Sequence, residues 1–201
     1  MDKYISGVLL SAGKSERMGE MKALLSLNNK LVIEKLIEEY LDTPIDELIV
    51  VVGFNGQKLE SIIKSLFQTD KLKVVYNEKY EEGMFSSVVK GVESATFDNV
   101  LLGLVDNPLI NSDIIKRLLN EFDFEHIVIP SYNKKGGHPV LFPKFVKDAI
   151  LSGKYETLKE VFDSFKEKVD YVDAPIEVTI DMDTKEDYEK ILRFLEGGSY
   201  D

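Results

Sequence analysis

The chain has 201 residues, no cysteine, two histidines and a formal net charge of −11. That length suits one domain with a sizeable core, and the lack of cysteine excludes disulfides, zinc ribbons, iron–sulfur clusters and thiol nucleophiles. So acidic a chain is a poor partner for nucleic acid, and any phosphate it holds must be met locally by particular amides, cations or a metal.

We expect one domain over 1–201, its core spanning about 4–196. Taken in chain order, short apolar runs predict strands at 4–10, 47–53, 72–76, 99–105, 126–130, 139–142 and 169–173, with a further short one at 177–180. Amphipathic stretches between them predict helices at 31–41, 57–68, 84–95, 112–122, 144–151, 157–167 and 185–196. The run "LIVVV" is apolar at every position, the mark of a strand covered on both faces. Strand–helix alternation of this kind implies right-handed crossovers, hence an α/β, Rossmann-like, mostly parallel sheet with helices on both faces. Asn111 or Ser112 is placed to cap one helix, and Thr184 with Asp187 resembles a capping box. No apolar run has the length of a membrane span, and "MDKYIS" lacks the order of a signal peptide. The expectation is a cytoplasmic protein with neither membrane nor nucleic acid as partner.

In an open α/β sheet, ligands bind at the carboxyl ends of the strands. The loop "LLSAGKSERMGEMK" leaves the first predicted strand at that end. It holds Gly-Lys-Ser, the tail of a P-loop, yet Val8 stands where the upstream glycine should be. Gly13 and Gly19 permit close approach of amides, Arg17 offers a bidentate fork, and Lys22 a mobile point charge. Together they suit a triphosphate without Walker geometry; the alternative is a surface loop with solvated cations. Four later stretches fall at loops expected on the same edge. "EEGMFSSVVKG" opens a helix with Gly83, Ser86 and Ser87, suited to a ligand or simply to capping. "VLLGLVDNPLI" puts Asp106 just past a strand, where it suits Mg²⁺ or an Asx turn. "KKGGHPVLF" sets Gly137 and His138 before a strand, and "VTIDMDTKEDY" offers Asp181 and Asp183 at alternate positions before the last helix.

These five stretches resemble the motifs of the molybdopterin nucleotidyltransferases. Leu10, Ala12, Gly13, Ser15, Arg17, Met18, Gly19 and Lys22 match the family signature LxAGxSxRMGxxK, and Ser11 replaces its usual alanine. The later stretches resemble GMxSSL, Asp-Gln-Pro, GHPVLF and DxDTPEDY, with Phe85, Asn107 and Lys185 as departures. The Ala12–Gly13 pair is most similar to the branch that transfers CMP, the molybdenum cofactor cytidylyltransferases. The resemblance implies a nucleotidyltransferase moving CMP from CTP to molybdopterin with release of pyrophosphate, the product passing to a molybdenum hydroxylase apoenzyme. It further implies nucleotide contacts from Leu10, Ser11, Ala12, Gly13, Ser15, Arg17, Lys22, Gly83, Ser86 and Ser87, with Arg17, Lys22 and Asp106 catalytic. Asp106 and Asp183, with Asp181 as the alternative, would hold Mg²⁺, and Gly137 and His138 would face the acceptor. Two other readings stay open: the same fold using GTP or a sugar or polyol phosphate, and a loading chaperone without chemistry.

Overall fold

A computed structural model describes residues 4–200. In chain order the elements are β1 (Ile5–Ser11), β2 (Ser26–Leu27), β3 (Lys30–Leu31), α1 (Val32–Leu41), β4 (Glu47–Val52), α2 (Gly56–Leu66), β5 (Leu72–Tyr76), α3 (Met84–Ser94) and β6 (Asn99–Leu104). There follow α4 (Ser112–Glu121), β7 (Ile127–Tyr132), β8 (Lys135–Gly136), β9 (Val140–Phe142), α5 (Lys144–Leu151), α6 (Leu158–Ser164), β10 (Val169–Asp173) and α7 (Lys185–Leu195). The main sheet has the order β10-β7-β9-β6-β1-β4-β5, with β8 attached to β7. Its pairings are parallel except those of β9 with β6 and β7, and of β8 with β7. The α/β, mostly parallel architecture expected from the alternation is therefore the one found.

β1 lies at the centre, buried at every position, and its side chains alternate between two cores. Ile5 and Leu9 pack with Leu36 of α1, Leu59 of α2, Ile115 of α4 and Ile191 of α7. Val8 and Leu10 pack with Val88 and Val92 of α3, Val146 of α5 and Val161 of α6. Each such aliphatic side chain contributes about 1.5–3 kcal/mol by leaving water, so register at β1 is strongly fixed. Gly91 lets α3 lie close on the sheet, since a Cβ there would stand 2.4 Å from Val8 Cγ1.

The structure departs from the sequence expectation in four places. Residues 177–180 form no strand; Ile176–Thr179 is a 3-10 turn that follows Pro175, and the Thr179 hydroxyl donates back to the Ile176 carbonyl. The helix expected over 157–167 ends at Ser164, where Phe165 turns out at φ −122° and packs edge-on against Phe145, centroids 4.8 Å apart. Two small hairpins went unforeseen. Asn28 and Asn29 (φ 49° and 66°) turn β2 into β3, and Asn133 and Lys134 (φ 49° and 70°) turn β7 into β8. Left-handed pairs of this kind are what a tight hairpin turn demands.

Candidate active site

The carboxyl ends of β1, β4, β5 and β6 share one edge, and the loops that leave them build the site. In the loop after β1, Ser15 (φ 53°) and Gly19 (φ 72°) bend the chain back, and the Ser15 carbonyl accepts from the Met18 and Gly19 amides at 3.0 and 3.2 Å. Met18, 2% exposed, anchors the loop in the body. A Cβ on Gly13 would meet nothing within 4 Å, so this glycine leaves open space beside the strand end. Gly53, just past β4, does the reverse. A Cβ there would fall 2.7 Å from both the Ala12 carbonyl and Tyr80 Cβ, so two loops press against the bare backbone. Leu10, Ala12, Gly13, Tyr80, Met84 and Ser87 are among the residues lining a cavity of about 200 Å³ that reaches Asp106. Lys14, Ser15, Arg17, Lys22, Asp106 and Asp183 line an adjoining open cleft of about 450 Å³.

Asp106 lines both spaces, and Lys22 lies beside it in the cleft. Its ammonium lies 2.9 Å from Asp106 Oδ2 and 2.8 Å from Asp183 Oδ1, with only 8% of its side chain exposed. Arg17, far more exposed, reaches Asp183 Oδ2 at 2.9 Å. The last segment is drawn in by backbone pairing, Met182 N donating to the Asp106 carbonyl at 2.8 Å. Thr184 and Asp187 form the capping box read from the sequence and fix the start of α7. Environment separates the two carboxylates. Burial pushes the Asp106 carboxyl up, against the pull of Lys22 and helped by the charges of Asp183 and Asp181. The Lys22 hydrogen bond holds Asp183 below the usual carboxylate range, against some desolvation and with Arg17 adding to the effect. Two carboxylate oxygens thus converge on one cation-sized point beside a phosphate-scale loop. That donor set fits a hard divalent ion, which favours carboxylate oxygen together with substrate phosphates.

At the start of α3 the two serines differ. Ser86 donates toward the carbonyls of Lys79 (2.7 Å) and Gly83 (2.8 Å), so it ties the loop to the helix. Ser87 is buried and lines the cavity. Gly83, at φ 108°, adopts a conformation that side-chain-bearing residues rarely reach. Sequence reasoning missed Asn77 here. This side chain, 3% exposed, donates to both serine hydroxyls and accepts from the Lys79 amide. A lone asparagine after a strand carries no spacing signal that would have marked it.

On the far side of Asp106, the amides of Gly137 and His138 are already used. They donate to the carbonyls of Pro130 and Val178, at 2.8 and 3.0 Å. A Cβ on Gly137 would stand 1.9 Å from the Val178 carbonyl, so this glycine serves chain packing. Burial lowers the pKa of His138, with Asp181 and a backbone contact at Leu102 acting in the other direction. Its Nδ1 is buried and has no hydrogen-bond partner among the described residues. Asn107, 1% exposed, holds Asp181 by a 2.7 Å hydrogen bond and also donates to the Ile180 carbonyl. Asp181 is therefore tethered away from Lys22, and Asp183 makes the ion pair. Asp123, His126 and Asp170 gather their ligand atoms within 4.8 Å, but beside the start of β7, at the opposite edge of the sheet. Their contacts are ion pairs of 2.6 and 3.6 Å about His126.

A family model described as "MobA-like NTP transferase domain" matches residues 7–168. The chain belongs to that family. Curated relatives of this MobA-like transferase carry the name "Probable molybdenum cofactor guanylyltransferase"; one, from Methanosarcina mazei, is 25% identical over 94% of this chain and 90% of its own. A solved nucleotidyl transferase from Methanothermobacter thermautotroptrophicus superposes with a TM-score of 0.82 at 22% identity, covering 96% of this chain and 98% of its own. A Mycobacterium tuberculosis protein solved as a complex with manganese matches at TM-score 0.70 and 22% identity, over 94% of this chain and 98% of its own. Those structures establish the shared fold. The relatives' names favour guanylyl over the cytidylyl transfer expected from Ala12–Gly13. The phosphate contacts expected of the signature loop are to groups that GTP and CTP share, so the identities of its residues do not separate the two. Among the described residues, no helix is long and apolar enough to cross a membrane.

Proposed function

We propose that the protein transfers GMP from GTP to the terminal phosphate of molybdopterin and releases pyrophosphate, for delivery to a molybdenum enzyme. The observation that carries this reading is the Lys22 ammonium held between Asp106 and Asp183 at the mouth of a glycine-bearing phosphate-scale loop. An acceptor phosphate oxygen attacks the α-phosphorus of the nucleotide, and the bond to the β-phosphate oxygen breaks. Such transfer needs positioning and charge neutralisation more than a protein nucleophile. Arg17 would bind the β- and γ-phosphates, and Lys22 would leave its carboxylates to meet charge growing on the α-phosphate. Asp106 and Asp183 would hold Mg²⁺, which neutralises the phosphate oxygens when bound. Ser11, Ala12, Gly13 and Ser87 would line the nucleotide, and His138 would border the acceptor.

CTP as donor is a second reading, favoured by the Ala12–Gly13 pair in the cavity wall. The test is pyrophosphate release from each nucleoside triphosphate, with Mg²⁺ and with or without molybdopterin. Release with GTP that depends on the pterin supports the main reading, and the same result with CTP alone selects the second. Release driven by a sugar or polyol phosphate instead would change the acceptor. Tight binding without turnover would identify a loading chaperone and overturn transfer. Asp106→Ala at saturating Mg²⁺ should lose turnover; near-normal rates would remove Asp106 from the metal site.

A further inference from the structure

The cavity beside α3 has few polar side chains, so the direction of each hydroxyl matters. Asn77 sits directly after β5, its amide N–H bonded to the Val52 carbonyl at 2.8 Å. Its side-chain oxygen accepts from the Lys79 amide at 2.9 Å, which fixes the orientation of the carboxamide. The two N–H donors then go to Ser86 Oγ at 2.9 Å and Ser87 Oγ at 3.0 Å. A hydroxyl that accepts one hydrogen bond still has one proton to donate. The Ser86 proton is engaged by the Lys79 and Gly83 carbonyls. Among the described residues the Ser87 hydroxyl donates to no protein acceptor, and Ser87 lines the cavity between Leu10 and Met84.

We propose that Asn77 is a positioning residue that presents the Ser87 hydroxyl as a dedicated donor to an oxygen of the bound nucleotide, while Ser86 only ties the loop. The inference rests on the transferase reading above. It narrows the serine pair named in the sequence to one ligand-facing member. It also explains why a buried carboxamide stands at a strand end whose neighbours are otherwise loop residues. Asn77→Asp tests it well because shape is kept and chemistry inverted. A carboxylate only accepts, so Ser87 must turn its proton inward and show the nucleotide lone pairs.

The experiment measures the Kd of the Mg²⁺ complexes of GTP and CTP, KM and kcat for the better of the two, and Tm. The variants are Asn77→Asp, Ser87→Ala, Ser86→Ala and the double Asn77→Asp/Ser87→Ala. With one hydrogen bond to an anionic or carbonyl oxygen at stake, Asn77→Asp and Ser87→Ala should each raise Kd and KM about tenfold with kcat little changed. Ser86→Ala should leave Kd within about twofold, and the double variant should bind no worse than the weaker single variant, as expected for two residues acting through one contact. If the new carboxylate acted merely by repelling phosphate, its effect would persist in the Ser87→Ala background, and additive losses in the double variant would overturn the proposal. So would nucleotide binding by Asn77→Asp at the wild-type level. If the wild-type protein bound no nucleoside triphosphate, the transferase reading would fall and this inference with it. Wild-type binding with unaffected variants would remove the inference alone.

Discussion

Replacing Lys22 with methionine keeps an unbranched side chain of similar length and deletes the charge between Asp106 and Asp183. Were both ion pairs fully buried, their loss would cost about 3–5 kcal/mol, mostly through stranded carboxylates. They are not fully buried. Asp106 and Asp183 keep 38% and 36% of their side chains exposed, so water screens what remains, and about 1–2 kcal/mol is the scale for Lys22→Met. For a domain of this size that corresponds to a fall in Tm of about 3–6 °C. The deficit should depend on pH. In wild type, Lys22 pulls Asp106 down against burial and holds Asp183 low. Without it the folded-state pKa of Asp106 climbs further above its unfolded value, so ionising this group works against folding as pH rises through that pKa. Asp183 loses its depression and with it the stability present above the unfolded value. Both effects put the deficit at high pH, and protonation of both carboxylates erases it. Calorimetric scans of the two proteins should therefore diverge most above the raised pKa of Asp106 and converge only as pH falls through the lowered pKa of Asp183, below its ordinary 3.8. Added Mg²⁺ should raise the variant's Tm more than the wild type's, because the ion meets a pair of carboxylates no longer occupied by an ammonium. A deficit that is uniform in pH and indifferent to Mg²⁺ would refute the account.

Three further predictions concern packing and acid stability. Gly137→Ala forces a Cβ to within 1.9 Å of the Val178 carbonyl, and should cost about 3 kcal/mol in denaturant unfolding; a loss near zero would mean that the Val178 turn shifts freely. The lowered pKa of His138 makes it a group whose contribution is present above its unfolded value of 6.5 and is lost as pH falls through the folded one. His138→Gln should flatten the decline in Tm below that value. His126 has a raised pKa from its Asp123 contact, so His126→Gln should lower Tm on the acid side and leave alkaline values nearly unchanged.

The sheet was legible because its strands are written as unbroken apolar runs. "LIVVV" falls entirely within β4, and β5 occupies the expected residues. Of the charged residues singled out in the loops, Lys22, Asp106 and Asp183 are brought within ion-pair distance by the fold. What escaped was what depends on distant backbone. Nothing local to Gly53 says that Ala12 and Tyr80 will lean on it, and nothing near Asn77 says that two serines nine and ten residues on will turn to it. The Asn28–Asn29 hairpin was within reach, since paired asparagines accept left-handed backbone. The roles of Gly137 and Asn107 were not, because both follow from contacts with residues 178–181.

The one reversed strand of consequence, β9, divides the carboxyl edge of the sheet. Its neighbours end at that edge and send chain outward, whereas β9 begins there and receives chain from the β7–β8 hairpin. The proposed nucleotide loops thus hang from β1, β5 and β6, while the proposed acceptor wall at His138 is delivered by separate chain. Among the described residues, the sheet joins the two regions through the three residue pairs of β6 with β9. Lengthening or shortening the hairpin should remodel the proposed acceptor wall first and reach the phosphate loop through residues 178–183. A fold wired in this way carries the proposed acceptor wall and the proposed donor loops on separate chain, with residues 178–183 as the coupling between them.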